Sequence, residues 1–136
     1  MTTTHRATYA VGREKVREYA TAVGEESPLH FDVEAARAAG FDDVLAPPMF
    51  AAVYSLPAVG PAILDPEAGV NFARMVHGGQ AFTWHRPVVA GDEITTEAEL
   101  TEANERGVLK TYVFTTRSRN DRGELVCEGT WTNIVR

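Results

Sequence analysis

One short stretch of the sequence places a carboxylate and an imidazole on what reads as a single connection between two helices. Glu25 and His30 are five positions apart, and Ser27-Pro28 lies between them. A carboxyl group and an imidazole that are held together can pass a proton in either direction near neutral pH. The pattern indicates general acid–base chemistry, although a solvated loop acid beside a packed turn histidine would give the same pattern.

A second candidate lies where an apolar run begins after Pro47-Pro48. The first N–H groups of a helix have no partner within it, and the helix dipole favours negative charge there. Because Pro48 has no N–H, the donors that could stabilise an enolate-like oxygen are those of Met49 and Phe50. An ordinary core helix could begin with the same residues.

A third group is His77 with Gly78-Gly79, where the glycine pair predicts a β-bulge or a close approach of two backbones. A histidine within a strand pattern is more often structural than catalytic. Cys127 also lies in a strand pattern, which predicts a buried and unreactive thiol. The sequence has no phosphate-binding glycine loop, no zinc-ligand spacing and no nucleophile-elbow motif. We therefore expect no cofactor and no metal.

Hydrophobic periodicity predicts the helices that position these groups. A single apolar face between Arg13 and Gly24 predicts a helix that the glycine ends; the face consists of Val16, Tyr19, Ala20 and Val23. Ser27-Pro28 predicts the cap and first residue of a short helical turn. Asp32 predicts the cap of a second helix over residues 33–39. Residues 2–7 are predicted to be a loose tail.

The remaining pattern predicts a buried helix and a sheet. Residues 47–59 are apolar on every side, so we expect an enclosed helix that Pro57 kinks or ends. After about residue 70 the composition shifts to β-branched and aromatic residues, and alternation with short turns predicts antiparallel strands. These strands are expected over 70–76, 80–88, 94–101, 112–117 and 125–132. The fold class is therefore α+β, with an antiparallel sheet curling around the buried helix.

Size and charge limit the possible functions. The 136 residues are predicted to form one domain over the whole of 1–136. Acidic residues outnumber basic ones by 19 to 13, which gives a net charge of −6 and argues against a nucleic-acid-binding face. Prolines interrupt the longest apolar stretch, and no apolar run follows the first charged residues. We expect no membrane span, no secretory signal and a cytoplasmic location.

The stretch Tyr19–Asp32 resembles the hydratase motif of the MaoC-like dehydratases, which reads roughly Asp-x-Asn-Pro-x-His after an amphipathic helix. The resemblance extends over nearly the whole chain, through Leu45–Phe50, Val76–Gln80, Arg86–Asp92 and Trp131–Arg136. It is closest to the N-terminal dehydratase-type branch, which includes subunits of heterodimeric (3R)-hydroxyacyl thioester dehydratases. The resemblance implies a hot-dog fold, in which a curved antiparallel sheet wraps around a long central helix, and it implies dimers.

The resemblance also implies a reaction, the reversible syn loss of water from a (3R)-3-hydroxyacyl thioester of coenzyme A or acyl carrier protein. His30 falls on the family histidine, Glu25 on the family aspartate and Ser27 on the family asparagine. Five residues in the matching stretches are expected to bind the oxyanion or the substrate: Ser27, Met49, Phe50, His77 and Gly78. Glu25 is one methylene longer than the aspartate, and Pro47-Pro48 replaces a His-Gly pair whose glycine N–H serves the oxyanion.

Three functions stay open at this point. The chain is a dehydratase or enoyl hydratase that uses Glu25 and His30, or a non-catalytic acyl-binding subunit whose partner supplies the pair, or a hot-dog thioesterase. The double proline is typical of accessory subunits, whereas such subunits commonly lack the histidine that is kept here as His30. The expected partner is a second copy of the chain or a different MaoC-like chain. The acyl length, the carrier and the pathway are left open by the sequence.

Overall fold

A computed structural model describes residues 3–136 of the chain, in which the helices precede most of the strands. Single 3₁₀ turns cover Pro28–His30 and Pro48–Phe50. The longer elements are β1 (His5–Ala10), α1 (Arg13–Ala22), α2 (Val33–Ala38), α3 (Ala51–Leu64), β2 (Met75–Trp84), β3 (Glu93–Arg106), β4 (Leu109–Arg119) and β5 (Leu125–Val135).

The five strands form one antiparallel sheet in the order β1-β3-β4-β5-β2. The predicted hairpins between β3, β4 and β5 are confirmed. Gly107 takes a positive φ of 62° in the first turn. In the second turn, the Asn120 Oδ1 atom accepts hydrogen bonds from the N–H groups of Arg122 and Glu124, both at 3.0 Å. These short turns let the strands pair along most of their length.

Helix α3 packs against one face of this sheet. Its buried residues are Ala51, Tyr54, Ser55, Ala58, Val59, Ala62 and Ile63. They meet the inward-facing side chains of β3, β4 and β5, among which Phe114 and Ile94 are fully buried. A chain of buried hydroxyls also joins helix and sheet, since Ser118 Oγ lies 3.5 Å from Ser55 Oγ and 2.7 Å from Thr96 Oγ1. The predicted α+β class, with one long helix against a curved antiparallel sheet, is confirmed.

Two expectations about this helix need correction. Of the two effects expected of Pro57, a kink or an end, the end is wrong, because α3 continues through Pro57 and Pro61 to Leu64. Packing on the sheet keeps the helix intact although each proline removes one helical hydrogen bond. The helix is also not covered on every side within this chain, since Leu56 is 55% exposed and Leu64 is 61% exposed.

Two predictions about strands were also wrong. In place of the two strands expected over 70–76 and 80–88 there is one strand, β2, which begins only at Met75 and ends at Trp84. Its register with β5 shifts between His77 and Gly79. That shift is the bulge that the glycine pair predicts. Of the expected tail over 2–7, residue 2 lies outside the described residues, and the chain is already a strand from His5, paired with Ala98 of β3.

Strand β2 forms one edge of the sheet and carries apolar side chains in the open. Val76 is 61% exposed and Trp84 is 46% exposed. An edge strand presents unpaired backbone groups, and natural proteins usually cover or interrupt such edges.

Among residues 3–136, no helix combines the length and apolar character that crossing a membrane requires.

Candidate active site

The C-terminal cap of α1 fixes the position of Glu25. Gly24 takes a φ of 78°, the left-handed conformation that glycine adopts at low cost. The Gly24 N–H donates to the Thr21 carbonyl oxygen at 3.2 Å, and the Glu25 N–H donates to the Ala20 carbonyl oxygen at 2.8 Å. These two bonds form a Schellman motif. The backbone of Glu25 is therefore tied to a rigid helix end.

The 3₁₀ turn that follows fixes His30. Ser27 caps the turn, since its Oγ atom accepts a hydrogen bond of 3.3 Å from the Leu29 N–H, and Pro28 is the first residue of the turn. The turn is held from outside by Leu45, whose N–H donates to the Leu29 carbonyl oxygen at 2.8 Å. Leu45 in turn pairs with Val89, in the segment that follows β2.

The hydrogen bond from His30 to Leu45 determines which ring nitrogen faces Glu25. The Nδ1 atom of His30 lies 2.6 Å from the Leu45 carbonyl oxygen. Because a carbonyl oxygen can only accept, Nδ1 must carry a proton. In the neutral ring Nε2 is then unprotonated, and it lies 3.3 Å from Glu25 Oε2. Two acceptors at this distance attract each other only when a proton lies between them, so the pair is suited to holding one shared proton.

The two members of the pair have different surroundings. The His30 side chain is 8% exposed, whereas the Glu25 side chain is 41% exposed. Tyr19 of α1 borders the carboxylate: burial raises the pKa of the Tyr19 phenol, and the negative charge of Glu25 raises it further. The phenol therefore stays neutral beside the pair. This arrangement gives a sheltered imidazole next to a carboxyl group that solvent or a ligand can reach.

The start of α3 offers one of the two predicted N–H donors. The Phe50 N–H donates to the Pro47 carbonyl oxygen at 2.9 Å, and the Phe50 ring is fully buried in the core. The Phe50 N–H therefore already has a partner within the turn. The Met49 N–H has no hydrogen-bond partner among residues 3–136, and Met49 is half-exposed. On the other side of this turn, Trp84 Nε1 donates to the Pro48 carbonyl oxygen at 2.7 Å.

A cavity of about 440 Å³ lies between this turn and the segment that follows β2. Its walls are Leu45, Ala46, Pro47, Pro48, Tyr54, Trp84, His85, Arg86, Pro87 and Val88. Glu25 and His30 do not line it, but Leu45 does, and the Leu45 carbonyl oxygen accepts the hydrogen bond from His30. One residue therefore borders both the acid–base pair and the cavity.

The remaining predicted residues lie elsewhere or act locally. His77 and Gly78 are near the start of β2, whereas the cavity touches Trp84 at its end, roughly 23 Å away along the strand. Within one chain they are therefore not brought to this cavity. Gly78 lies close to a side chain of β5 rather than to its backbone, because a Cβ atom there would lie 2.6 Å from Ile134 Cδ1 and 3.6 Å from the Thr132 carbonyl oxygen. Ser27 serves as the cap of the 3₁₀ turn.

Sequence reasoning missed Tyr54 and Trp84 as residues of the site. Tyr54 reads as one more member of an apolar helix, and Trp84 reads as a core aromatic residue. Trp84 is 46% exposed, however, and it faces the cavity. Its position just before His85-Arg86-Pro87, where the strand must end, is the only sequence signal for this role. Among the described residues, no three His, Cys, Asp or Glu side chains come together as a metal site requires.

Comparison with known sequences finds a matching family model and several similar proteins. A family model described as "FAS1-like, dehydratase domain region" matches residues 1–129. A protein of Saccharopolyspora erythraea named "UPF0336 protein" is 41% identical over 128 residues, which cover 94% of this chain and 82% of that protein. Another of Parafrankia sp. is 44% identical over 133 residues, which cover 94% of this chain and 85% of that protein.

Solved structures of dehydratases and hydratases also superpose on this chain. The C-terminally truncated HadBC (3R-hydroxyacyl-ACP dehydratase) complex of Mycobacterium tuberculosis contains a chain that superposes with a TM-score of 0.82 at 32% identity, covering 97% of this chain and 94% of that one. The (R)-hydratase of A. caviae superposes with a TM-score of 0.72 at 23% identity, covering 98% of this chain and 95% of that one. The second likeness concerns the fold alone.

Proposed function

The chain belongs to the FAS1-like dehydratase domain family and has the hot-dog fold of the MaoC-like dehydratases, and we propose that it interconverts (3R)-3-hydroxyacyl and enoyl thioesters. The observation that carries this proposal is the 3.3 Å contact between His30 Nε2 and Glu25 Oε2, with the opposite ring nitrogen fixed by Leu45. The substrate would be a thioester of coenzyme A or acyl carrier protein. Both carriers work in the cytoplasm, which is where we expect the protein to act.

The proposed mechanism uses one proton shared by the pair. In the reactive form of the pair the shared proton is on Glu25, which leaves Nε2 of His30 free to accept. Nε2 takes the proton from C2 of the substrate, the C3–O bond breaks, and Glu25 gives its proton to the leaving hydroxyl group, which departs as water. The imidazolium and carboxylate that remain are 3.3 Å apart, so the proton returns to Glu25 and the cycle closes.

The negative charge that develops on the thioester oxygen needs a donor. The Met49 N–H is the candidate, because it has no partner among residues 3–136 and lies in the first turn leading into α3. Such a donor contributes through its fixed orientation toward the charge. The neighbouring Pro48 has no N–H, so this chain would use the single backbone N–H of Met49 for this role.

The test measures hydration of crotonyl-CoA by the purified chain, which is monitored as the loss of the enoyl absorbance. We expect turnover that His30→Ala lowers by about 10²–10⁴-fold. Circular dichroism of the variant would establish that it is folded. Turnover that is equal in the folded variant and the wild type would refute the proposal, and release of free thiol instead of hydration would indicate a thioesterase.

A second candidate function is an accessory subunit that binds the acyl group while a partner supplies the acid–base pair. The observation that favours it is Pro47-Pro48 at the start of α3, which removes one potential oxyanion donor. The similar chain in the HadBC structure also comes from a complex of two different chains. This alternative predicts no hydration by the isolated chain and full hydration after a partner MaoC-like chain is added, with His30→Ala having no effect on the complex.

The proposed assembly is a dimer, with the same chain or a second MaoC-like chain, formed through β2. This edge strand is ten residues long, and it exposes the side chains of Val76 and Trp84. Antiparallel pairing of two such strands would bring the His77 end of one toward the Trp84 end of the other. His77 and Gly78 are thus proposed to bind substrate across the dimer interface. Sedimentation equilibrium should give a dimer, which a charged Val76→Glu substitution should weaken.

A further inference from the structure

Tyr19 of α1 packs against the turn that leads into α3. Its ring meets the fully buried ring of Phe50 edge-on, with the ring centroids 5.4 Å apart and the ring planes at 89°. Edge-to-face packing is a preferred arrangement of aromatic rings, so this contact restricts where the phenol can point. Phe50 directly follows Met49, whose N–H is the proposed oxyanion donor. The contact therefore holds Tyr19 beside the turn that carries this donor.

The same helix end carries Tyr19 and positions Glu25. The Tyr19 carbonyl oxygen accepts a hydrogen bond of 3.1 Å from the Val23 N–H, within the cap that ties down the backbone of Glu25. The phenol and the carboxyl group are close enough that the charge of Glu25 adds to burial in raising the pKa of Tyr19. The phenol is thus held next to the acid–base pair by rigid backbone.

The Tyr19 hydroxyl is free to donate a hydrogen bond. Tyr112 shows how another tyrosine of the chain satisfies this group, since its hydroxyl donates to the Gly69 carbonyl oxygen at 3.3 Å. The Tyr19 hydroxyl has no such partner among residues 3–136, although the residue is half-buried. A partly sheltered O–H without an acceptor favours a ligand oxygen, because a polar group left unpaired away from water is costly.

The turn itself offers few donors for a developing negative charge. Pro48 has no N–H, and the Phe50 N–H already donates to the Pro47 carbonyl oxygen at 2.9 Å. Met49 is therefore the one residue of the turn Pro48–Phe50 with an available N–H. Tyrosine hydroxyls can act together with backbone N–H groups in stabilising an oxyanion. A phenol held beside this turn has the chemistry of the donor that Pro48 lacks.

We propose that Tyr19 is a catalytic residue whose hydroxyl donates a hydrogen bond to the thioester oxygen, together with the Met49 N–H. The identity of the ligand rests on the proposed function. The bond strengthens as negative charge develops on that oxygen, when the proton leaves C2 of the substrate. The phenol keeps its own proton throughout, so the proton cycle of Glu25 and His30 is unchanged.

The experiment measures binding of acetoacetyl-CoA to the purified chain. This thioester has no 3-hydroxyl group to lose, and its enolate carries negative charge on the thioester oxygen and absorbs in the near ultraviolet. We expect the wild type to bind it as the enolate. Tyr19→Phe keeps the ring that packs on Phe50 and removes only the donor. It should therefore weaken enolate binding by about 10–10²-fold, as loss of a hydrogen bond to a charged group does.

Tyr9→Phe is the matched control. The Tyr9 ring also packs edge-on against Phe50, with the ring centroids 6.1 Å apart. Burial raises the pKa of Tyr9 as well, but the charges that act on its phenol are those of Lys15 and Glu18. This variant should bind the enolate as the wild type does. In hydration of crotonyl-CoA, Tyr19→Phe should lower kcat by about 10²–10³-fold with KM unchanged, and Tyr9→Phe should change neither constant.

Several results would overturn the inference. These are an absence of enolate binding in the wild type, equal enolate binding in Tyr19→Phe and the wild type, and an equal loss in Tyr9→Phe. A shift in the pH dependence of hydration with enolate binding unchanged would mean that the phenol serves only Glu25, which also overturns it. Enolate binding that falls in Tyr19→Phe alone, in a chain without hydration activity, would support the inference while refuting the proposed activity of the isolated chain.

Discussion

The imidazole of His30 and the backbone of Leu45 are joined by a hydrogen bond of 2.6 Å in which Nδ1–H donates to the carbonyl oxygen. Since Leu45 is itself held by Leu29 and Val89, the ring is oriented by backbone rather than by another side chain. Backbone groups persist whatever residue occupies position 45. The tautomer of His30 is therefore set by the fold.

Exchange of Glu25 for Gln should separate its proton-carrying role from its shape. Gln cannot donate or accept a proton at this site, so Glu25→Gln should lower hydration by about 10²–10⁴-fold. The neighbouring Glu26 is exposed and forms no ion pair among the described residues, so Glu26→Gln is the matched control and should retain wild-type turnover. Rates measured with crotonyl-CoA check both variants, and equal losses in the two would contradict the role of Glu25.

A methyl group at Gly129 should destabilise the core of the sheet. Its Cβ atom would lie 2.5 Å from Thr116 Oγ1 and 2.9 Å from both Phe82 Cε1 and Trp131 Nε1. Gly129→Ala should reduce the free energy of unfolding by about 1–3 kcal/mol, as overpacking in a filled core does. At Gly79 the nearest atom to an added Cβ is 3.6 Å away, so Gly79→Ala is the control. Urea denaturation of both variants should show the larger loss at Gly129.

The buried amide of Asn133 should add little to stability. The residue is fully buried, and its side-chain nitrogen and oxygen have no hydrogen-bond partner among residues 3–136. Asn133→Leu removes this unpaired polar group and should leave the free energy of unfolding unchanged or raise it. Asn120 provides the contrast, because it bonds Arg122 and Glu124, and Asn120→Leu should cost about 1–3 kcal/mol. A larger loss at Asn133 than at Asn120 would refute this reading.

The bond between Arg13 and Asp43 should make stability depend on pH in the acid range. The Arg13 guanidinium hydrogen bonds lower the pKa of Asp43 below its usual value. A carboxyl group whose pKa is lower in the folded chain contributes stability above its unfolded pKa of about 4, and that contribution disappears as the pH falls through the folded value. Arg13→Gln should therefore cost about 0.2–1 kcal/mol at neutral pH. The difference from wild type should shrink below about pH 4, and a constant difference would contradict the assignment.

Much of the site could be predicted because its parts are fixed by near neighbours in sequence. The left-handed Gly24 and the capping Ser27 are local features, and their hydrogen bonds reach at most five residues along the chain. These features alone place Glu25 and His30 on one short connection. The cavity could not be predicted in this way, because its walls join residues near Leu45 to residues near Trp84, about forty positions later.

The wrong predictions about the fold also arise from contacts between residues that are far apart in the sequence. The segment starting at His5 is a strand only because β3, some ninety residues later, pairs with it. Pro57 lies within a helix because the sheet against which α3 packs is formed by later residues. Local propensity favours a tail and a helix end at these two places, and tertiary pairing overrides it in both.

In the proposed dimer, the open edge of β2 would link the stability of the fold to its abundance. Among residues 3–136, no strand pairs with the outer side of the ten residues of β2. Association through this edge would stabilise the folded form by mass action, so we expect the melting temperature to rise as the protein is concentrated. Dilution alone should then lower the melting temperature, without any change in sequence or solvent.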